Sequence, residues 1–495
     1  MEASKDFTGA GGTGRGDYPG AHHDIVWRRL VAPDGYKNPE PEPRYHLIVI
    51  GAGPAGLVTA IAAAGLGAKV AMIERHALGG DCLNVGCVPS KSLLELTAHG
   101  GGDFDAAFAW LRSVRARIAE HDSVDRYRRA GVDVFLGSAR FIDAGKVLVG
   151  ATELVGRRIV IATGARADLP PIPGLTESKP LTNETVFDLR ERPQRLLVLG
   201  AGPVGCELAQ AFARLGIDVH VLELADRVLG NESADAAKVV EHALRDCGVR
   251  LHLRAQIAKV NRRRTQFVVT TSSEELTGDQ LLVAAGRRAN TNDLNLAAAG
   301  VETDATGQVI VDKYLRTSNT RIFAAGDVCA KLQFTHHADA HARIVVQNAL
   351  FFPTATTRKL VIPRCTYTQP EVAQVGATRA ELDAVGHAFD AYRVAYDDLD
   401  RGKTQGDKHG FAEVLTARRD SKILGATIVG RDAGEQIASV CVAMANGLGV
   451  DSFAKTVLPY PTRAEALKRI GDQYNRNRLT PMAQRLFKAW FRWSG

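Results

Sequence analysis

Two thiols in the run Gly79-Gly80-Asp81-Cys82-Leu83-Asn84-Val85-Gly86-Cys87-Val88-Pro89-Ser90-Lys91 are the residues of this chain best suited to chemistry. Four residues separate Cys82 from Cys87, the wrong spacing for a C-x-x-C zinc half-site, and no second close pair of cysteines exists to complete a thiolate cage. A structural zinc does not fit that pattern. Positions i and i+5 of a regular helix lie about 140° apart at roughly 100° per residue, so a bond between the two sulfurs would need an irregular turn, which Gly86 permits. Such a bond would be local and strained, and strained, accessible disulfides have the higher reduction potentials that suit catalysis rather than stapling. Taken alone, the pair fits two buried, inert cysteines at an element boundary better. The flanking Gly79, Gly80, Pro89 and Lys91, with the motifs elsewhere, turn the reading toward redox chemistry.

The elements around the thiols form a repeated pattern. The apolar run Leu47 to Ile50 leads into Gly51-Ala52-Gly53-Pro54-Ala55-Gly56, a small-residue helix to Leu66, and a second strand, Lys69 to Ile73, closed by Glu74. Gly51, Gly53 and Gly56 let backbone approach a pyrophosphate at a helix N-terminus, and an acid 23 residues after Gly51 can take a ribose hydroxyl. At an offset of 149 the unit recurs: Leu196 to Leu199, then Gly200, Gly202 and Gly205, a helix to Leu215, Asp218 to Leu222, and Glu223. Repetition in register at both glycines and acid implies two nucleotide-binding domains. Arg158 to Ile161, ending in Thr163-Gly164, and Arg321 to Ala325, ending in Gly326-Asp327, read as further short strands; Val283 to Arg287, through Gly286, is another.

The thiol run resembles the redox-active signature of the flavin-dependent pyridine nucleotide-disulfide oxidoreductases, the family of glutathione reductase, dihydrolipoamide dehydrogenase and mercuric reductase. The likeness spans about Tyr45 to Thr480 and is greatest to mercuric reductase-like members. It implies an α/β fold with two Rossmann-like dinucleotide-binding domains plus a C-terminal α+β dimerisation domain. The divisions expected are an extension and linker over 1–44, the first part of an FAD domain over 45–190, an NAD(P) domain over 191–288, an FAD or central return over 289–362, a dimerisation domain over 363–478, and a tail over 479–495. The copy beside the cysteines would hold FAD, because the disulfide must touch the flavin, and the second copy the nicotinamide. Glu223 favours a free ribose 2′-hydroxyl and so NADH over NADPH, with Arg227 tempering the preference. By the same resemblance Asp327 would bond the ribityl chain, the helix from about Phe334 would point its positive end at the flavin, and Glu207 would pair with Lys91 beside it. Cys82 would be the exposed attacking thiol. Cys87 would contact the flavin as the charge-transfer thiolate, its pKa lowered by a helix N-terminus.

One departure bears on the acceptor. In the family's dimers a loop near the end of the dimerisation domain reaches the partner's active site; here it reads Leu458-Pro459-Tyr460-Pro461-Thr462-Arg463-Ala464-Glu465. Dithiol-reducing members carry His where this chain has Tyr460, paired with an acid five residues on. Glu465 is kept and the His is not. Imidazole titrates near neutrality and shuttles protons to leaving thiols, whereas a phenol near pKa 10 does so poorly. Mercuric reductases also carry Tyr here, but they typically add a C-terminal vicinal Cys pair and often an N-terminal metal-binding domain, and this chain has neither signature. The implied function is electron transfer from NAD(P)H through FAD to Cys82 and Cys87 and on to a thiophilic small-molecule or metal-ion acceptor. Were Hg(II) the substrate, the two cysteines would ligate it; no resident metal is expected. A dihydrolipoyl dehydrogenase-type reaction is the alternative, and a flavin-bound redox sensor or membrane-recruited adaptor a further one.

Composition agrees with a globular enzyme: 495 residues, 45% hydrophobic and 24% charged, enough for about three cored domains. Seven cysteines, scattered apart from the one pair, suit a reducing compartment, and neither a signal core nor a membrane-spanning run is evident, so a cytoplasmic location is expected; the resemblance implies a homodimer. A net charge of +7 at this length, with Arg262 to Arg264 read as a solvated face, excludes a nucleic-acid binder. Residues 1–43 read as an appendage and linker with a short helix from Ala21 to Leu30; His22 and His23 read as incidental, and His336, His337 and His341 as helix-end packing rather than chelation. After Leu479 comes a basic, aromatic amphipathic segment, read first as packing on the dimer and second as a peripheral membrane contact.

Overall fold

The computed structural model describes residues 18–98 and 102–495; residues 1–17 of the extension read over 1–44 lie outside them. The described residues form two compact units, 18–224 with 248–359, and 225–247 with 360–495.

The first unit is built on the strand Tyr45–Ile50, whose Leu47, Ile48 and Val49 are fully buried. Near-continuous apolar sequence is what a parallel strand covered on both faces requires. Its parallel neighbours are Val70–Glu74 and Thr152–Ile161, placing Ile48 beside Ala71 and Ile159. Val132–Leu136 extends the sheet beyond Val70–Glu74, and Ile322–Ala324 joins Thr152–Ile161, so a strand from late in the chain returns to this first sheet. The short strand read at Arg158 to Ile161 is in fact ten residues long, because its first half pairs antiparallel with Lys146–Val149, which in turn pairs with Ala139–Asp143. The helix Pro54–Gly65 is rich in alanine, with Ala60 and Ala63 fully buried, which lets the helix Thr335–Leu350 pack closely on it. A second parallel sheet, in the order Arg250–Leu253, Asp218–Glu223, Arg195–Leu199, Gln280–Val283, repeats the strand order of the first.

The second unit carries a five-stranded antiparallel sheet in the order Arg364–Thr366, Glu371–Gly376, Ile423–Gly430, Phe411–Ala417, Phe389–Ala395. Val375, Val394, Val414 and Ile428 of its strands share one core with Ile437 and Val440 of the helix Ala433–Ala445 and Leu467 and Ile470 of Glu465–Asn477.

The described part of the N-terminal segment is no loose linker. The helix Ala21–Val31 lies on Phe104–Ala119, where Asp24 pairs with Arg115 at 2.7 Å and Arg112 at 3.3 Å, both arginines being 2% exposed. Farther on, Asn38 grips both backbone groups of Leu136, donating to its carbonyl at 3.1 Å and accepting from its N–H at 2.8 Å. Sequence reading failed here because the anchors are single polar side chains and not an apolar periodicity. Removing one member of a buried charge cluster leaves the others uncompensated, typically at a cost of about 3–5 kcal/mol. Asp24→Ala is therefore expected to lower the unfolding free energy of the first unit by an amount near that range, read from denaturant titration, and an unchanged midpoint would show that the cluster does not hold the segment.

Candidate functional site

The two nucleotide loops match point for point. Gly51 and Gly200 adopt left-handed φ of 104° and 102°, and a β-carbon on either would run into the carbonyl oxygen of Ala162 (2.4 Å) or Ala284 (2.6 Å). A β-carbon on Gly56 would sit 1.8 Å from the Gly51 oxygen, and on Gly205 2.0 Å from that of Gly200, so each helix starts hard against its own loop. Gly53 and Gly202 are the N-caps, each followed by proline at the first helical position, where no N–H is needed. The acids close both loops: Glu74 accepts from the Ala52 N–H at 2.8 Å and Glu223 from that of Ala201 at 2.6 Å. Glu74, Thr163 and Arg166 line a pocket together with Gly51, Ser138 and Asn290.

The thiol run is set directly on the first loop, since a β-carbon on Gly80 would lie 2.5 Å from the Gly53 Cα. Cys82 sits on the short helix Gly80–Asn84, and Cys87 opens the next one, Cys87–Ala98. Gly86 joins them, but its φ is not left-handed; glycine is needed because a β-carbon would approach the Asp81 carbonyl oxygen to 2.8 Å. Both cysteines are free thiols, Cys87 exposed and Cys82 half-buried. Cys87 is lowered to about 6, first by the hydrogen bond from the Cys82 thiol, then, against opposing burial, by Thr335 and Lys91. The neighbouring thiol, rather than the helix N-terminus, is its main cause. Cys82 is correspondingly raised, by its bond to Cys87 and by burial.

Three groups converge on this pair. Thr335, the first residue of Thr335–Leu350, brings its Oγ1 to 3.5 Å from the Cys87 sulfur. Lys91 and Glu207 meet at 2.7 Å, with the Glu207 carboxylate buried. Arg287, just after Gly286, reaches Asp81 beside Cys82 and, at 3.4 Å, Asp327 just after Gly326. Burial raises Asp327 to about 6, with Arg287 opposing. Thr163 and Asn290 exchange hydrogen bonds of 2.8 and 3.0 Å next to Gly164, joining the strand ends of two chain segments. Thr335 and Asp81 were not singled out in the sequence. Asp81 had a signal in its position next to Cys82, whereas Thr335 is joined to the pair only by folding.

The segment read as an appendage also reaches this run. Trp27 donates its indole N–H to the Asn84 side chain at 2.8 Å, and Arg115 donates to the Asn84 carbonyl at 3.1 Å. The residue midway between the two thiols is thus held from the N-terminal helix and from Phe104–Ala119.

The histidines of Thr335–Leu350 pack as expected. His341 accepts from the Gly326 N–H at 3.3 Å and is lowered to about 4, first by burial and then by His337, which turns its ring edge-on to it. Among the described residues no group of three or more His, Cys, Asp or Glu could hold a metal ion.

In the second unit, Tyr460 is 70% exposed and donates its hydroxyl to Asp400. That hydrogen bond is the first cause of a phenol pKa above the ordinary value. Glu465 does not meet Tyr460; it pairs with Arg469 at 2.7 Å, and its second oxygen is buried without a hydrogen-bond partner. Asp400, sixty residues away in sequence, left no signal there.

Comparison with known proteins accounts for this arrangement. The pyridine nucleotide-disulphide oxidoreductase family model matches residues 45–342, and the dimerisation domain of that family matches 362–470. The chain belongs to the class I pyridine nucleotide-disulfide oxidoreductases: a homodimeric flavoprotein that uses FAD and a pyridine nucleotide. It is 35% identical to a mercuric reductase of Streptomyces lividans, covering 86% of this chain and 95% of that one, and 33% identical to dihydrolipoyl dehydrogenase 3 of Pseudomonas putida, covering 86% and 97%. Among solved structures, the Cu(II) complex of the HOCl-induced flavoprotein disulfide reductase RclA from Escherichia coli matches with a TM-score of 0.81 at 29% identity, over 87% of this chain and 100% of that one.

Proposed function

We propose that this enzyme passes electrons from NADH through FAD to the Cys82–Cys87 pair and on to a thiophilic acceptor, a soft metal ion such as Hg(II) or a small reactive oxidant. The residues present suit the cofactor: Gly51 and Gly56, crowded by the carbonyl oxygens of Ala162 and Gly51, pack the start of the helix Pro54–Gly65 tightly on its loop, as a pyrophosphate at a helix N-terminus requires, and Glu74 stands where a ribose would be bonded. Bound FAD supplies the two-electron relay between nicotinamide and dithiol. Thr163, Gly164, Lys91 and Asp327 are assigned to holding it, and Gly200, Gly202, Gly205, Glu223 and Gly286 to the nicotinamide nucleotide.

The chain's own part is protonic and electrostatic. Reduction breaks the S–S bond with two electrons and one proton, leaving Cys87 as thiolate and Cys82 as thiol, the distribution their shifts favour. Lys91, neutralised by Glu207, keeps a cation close enough to steady the thiolate. For a mercuric acceptor the overall reaction balances as NADH plus Hg(II) giving NAD⁺, Hg(0) and one proton.

Tyr460 is the observation that carries the choice of acceptor. Its phenol is bonded to Asp400 and unpaired with Glu465, so the loop supplies no neutral-pH acid for a leaving thiolate. A soft ion is captured by thiolate directly and needs none. The names of the relatives, mercuric reductases and a Cu(II)-complexed HOCl-induced reductase, agree with such acceptors. A donor and acceptor panel tests the reading: NADH should outperform NADPH, with Glu223→Ala narrowing the gap, and Hg(II)-thiol complexes or small oxidants should turn over faster than lipoamide or glutathione disulfide. Lipoamide as the best acceptor would overturn it.

A further inference from the structure

The last helix, Pro481–Ser494, stands apart from the chemistry. It is capped by Thr480, whose hydroxyl accepts from the Ala483 N–H at 3.2 Å, it has proline at its first turn, and it contains no buried residue. Its six large apolar residues, Met482, Leu486, Phe487, Trp490, Phe491 and Trp493, are each between 53% and 79% exposed. Soluble surfaces rarely leave such a patch bare without a use for it.

The residues are sorted by face. At roughly 100° per residue, Gln484, Arg485, Lys488 and Arg492 fall within an arc of about 100°, and all six large apolar side chains occupy the rest of the circumference. There is no acidic residue between Pro481 and Ser494. A surface helix turned toward its own protein core presents a narrower apolar stripe and mixed charges opposite it. A wide aromatic face bordered only by cations matches the interface of an anionic bilayer: indole rings settle at headgroup depth, and Lys and Arg extend past the apolar face to the phosphates. The helix also lies beyond residue 470, where the match to the family's dimerisation domain ends. No helix among the described residues is long and apolar enough to cross a membrane.

We propose that Pro481–Ser494 docks this enzyme on anionic lipid surfaces, lying in the plane of the headgroups with its aromatic face inward. The test is cosedimentation of the full-length flavoprotein with vesicles of phosphatidylcholine alone or mixed with phosphatidylglycerol, with light scattering to follow the dimer. Binding is expected only to the mixed vesicles and should weaken with salt. Lys488→Gln and Arg492→Gln should each lower the partition coefficient about 5-fold, the equivalent of about 1 kcal/mol per surface cation. Trp490→Ser with Trp493→Ser should lower it at least about 10-fold, while the dimer and NADH reduction of the flavin persist. Absence of binding to mixed vesicles, or equal binding to both kinds, overturns the proposal. So does a dimer that falls apart in the double tryptophan variant, which would assign the face to the second copy of the chain.

Discussion

Cys82→Ala will raise the titration of the Cys87 thiol from about 6 toward the ordinary value of about 8.5 and abolish turnover with every acceptor. The first cause of the low value is the hydrogen bond from Cys82, and alanine donates none. At about pH 6.5 the thiolate would change from the majority form to a small minority. Far-ultraviolet thiolate absorbance of the reduced protein reads this directly. The sign is definite: a depressed pKa keeps the wild-type thiolate above about pH 6 and surrenders it as the pH falls through that value. In the NADH-reduced flavoprotein, Cys87→Ser should remove the long-wavelength charge-transfer absorbance and Cys82→Ser should retain it. If both serine variants behave as wild type, the assignment of the pair is wrong.

Lipoamide will be reduced at least about 10²-fold more slowly than a Hg(II)-thiol complex, the size expected for a missing general acid-base. Expelling a thiolate of pKa about 8 to 9 calls for a donor of similar strength. Tyr460 starts near pKa 10 as a free phenol, and its bond to Asp400 moves it farther from the range required. Tyr460→His should raise lipoamide turnover, because the unpartnered oxygen of Glu465 offers an acceptor that can orient an imidazole. Tyr460→Phe should slow the metal reaction. Stopped-flow oxidation of NADH with each acceptor separates these outcomes, and a wild type that prefers lipoamide would return the site to the dihydrolipoyl dehydrogenase reading.

Features that repeat at short range were legible in the sequence. The two glycine loops and their acids are local, and the same backbone crowding that demands Gly56 demands Gly205, so their spacing survives as a visible period. Thr335, Arg287 and Trp27 meet the thiol run only through tertiary folding, and one polar or aromatic residue on a helix or strand end carries no pattern. Gly86 shows a subtler limit. The sequence marked it as a position needing glycine, yet the cause is a neighbouring carbonyl and not a special dihedral, a distinction only coordinates make. The contact between Tyr460 and Asp400 was likewise beyond reach, while the absence of histidine at that position was plain.

The anchoring of the N-terminal helix bears on how the chain is made. Residues 18–38 are made well before their partners: Arg115 comes 91 residues after Asp24, and Val134, whose carbonyl accepts from the Tyr36 hydroxyl, 98 residues after Tyr36. At about 5–20 residues per second, that is roughly five to twenty seconds in which the helix Ala21–Val31 lacks these partners. Such long-range closures are the slow part of folding. The segment that grips Asn84 is therefore made before the partners that hold it and settles late, and the loop bearing both thiols reaches its final shape only once Arg115, Arg287 and Thr335 have followed it.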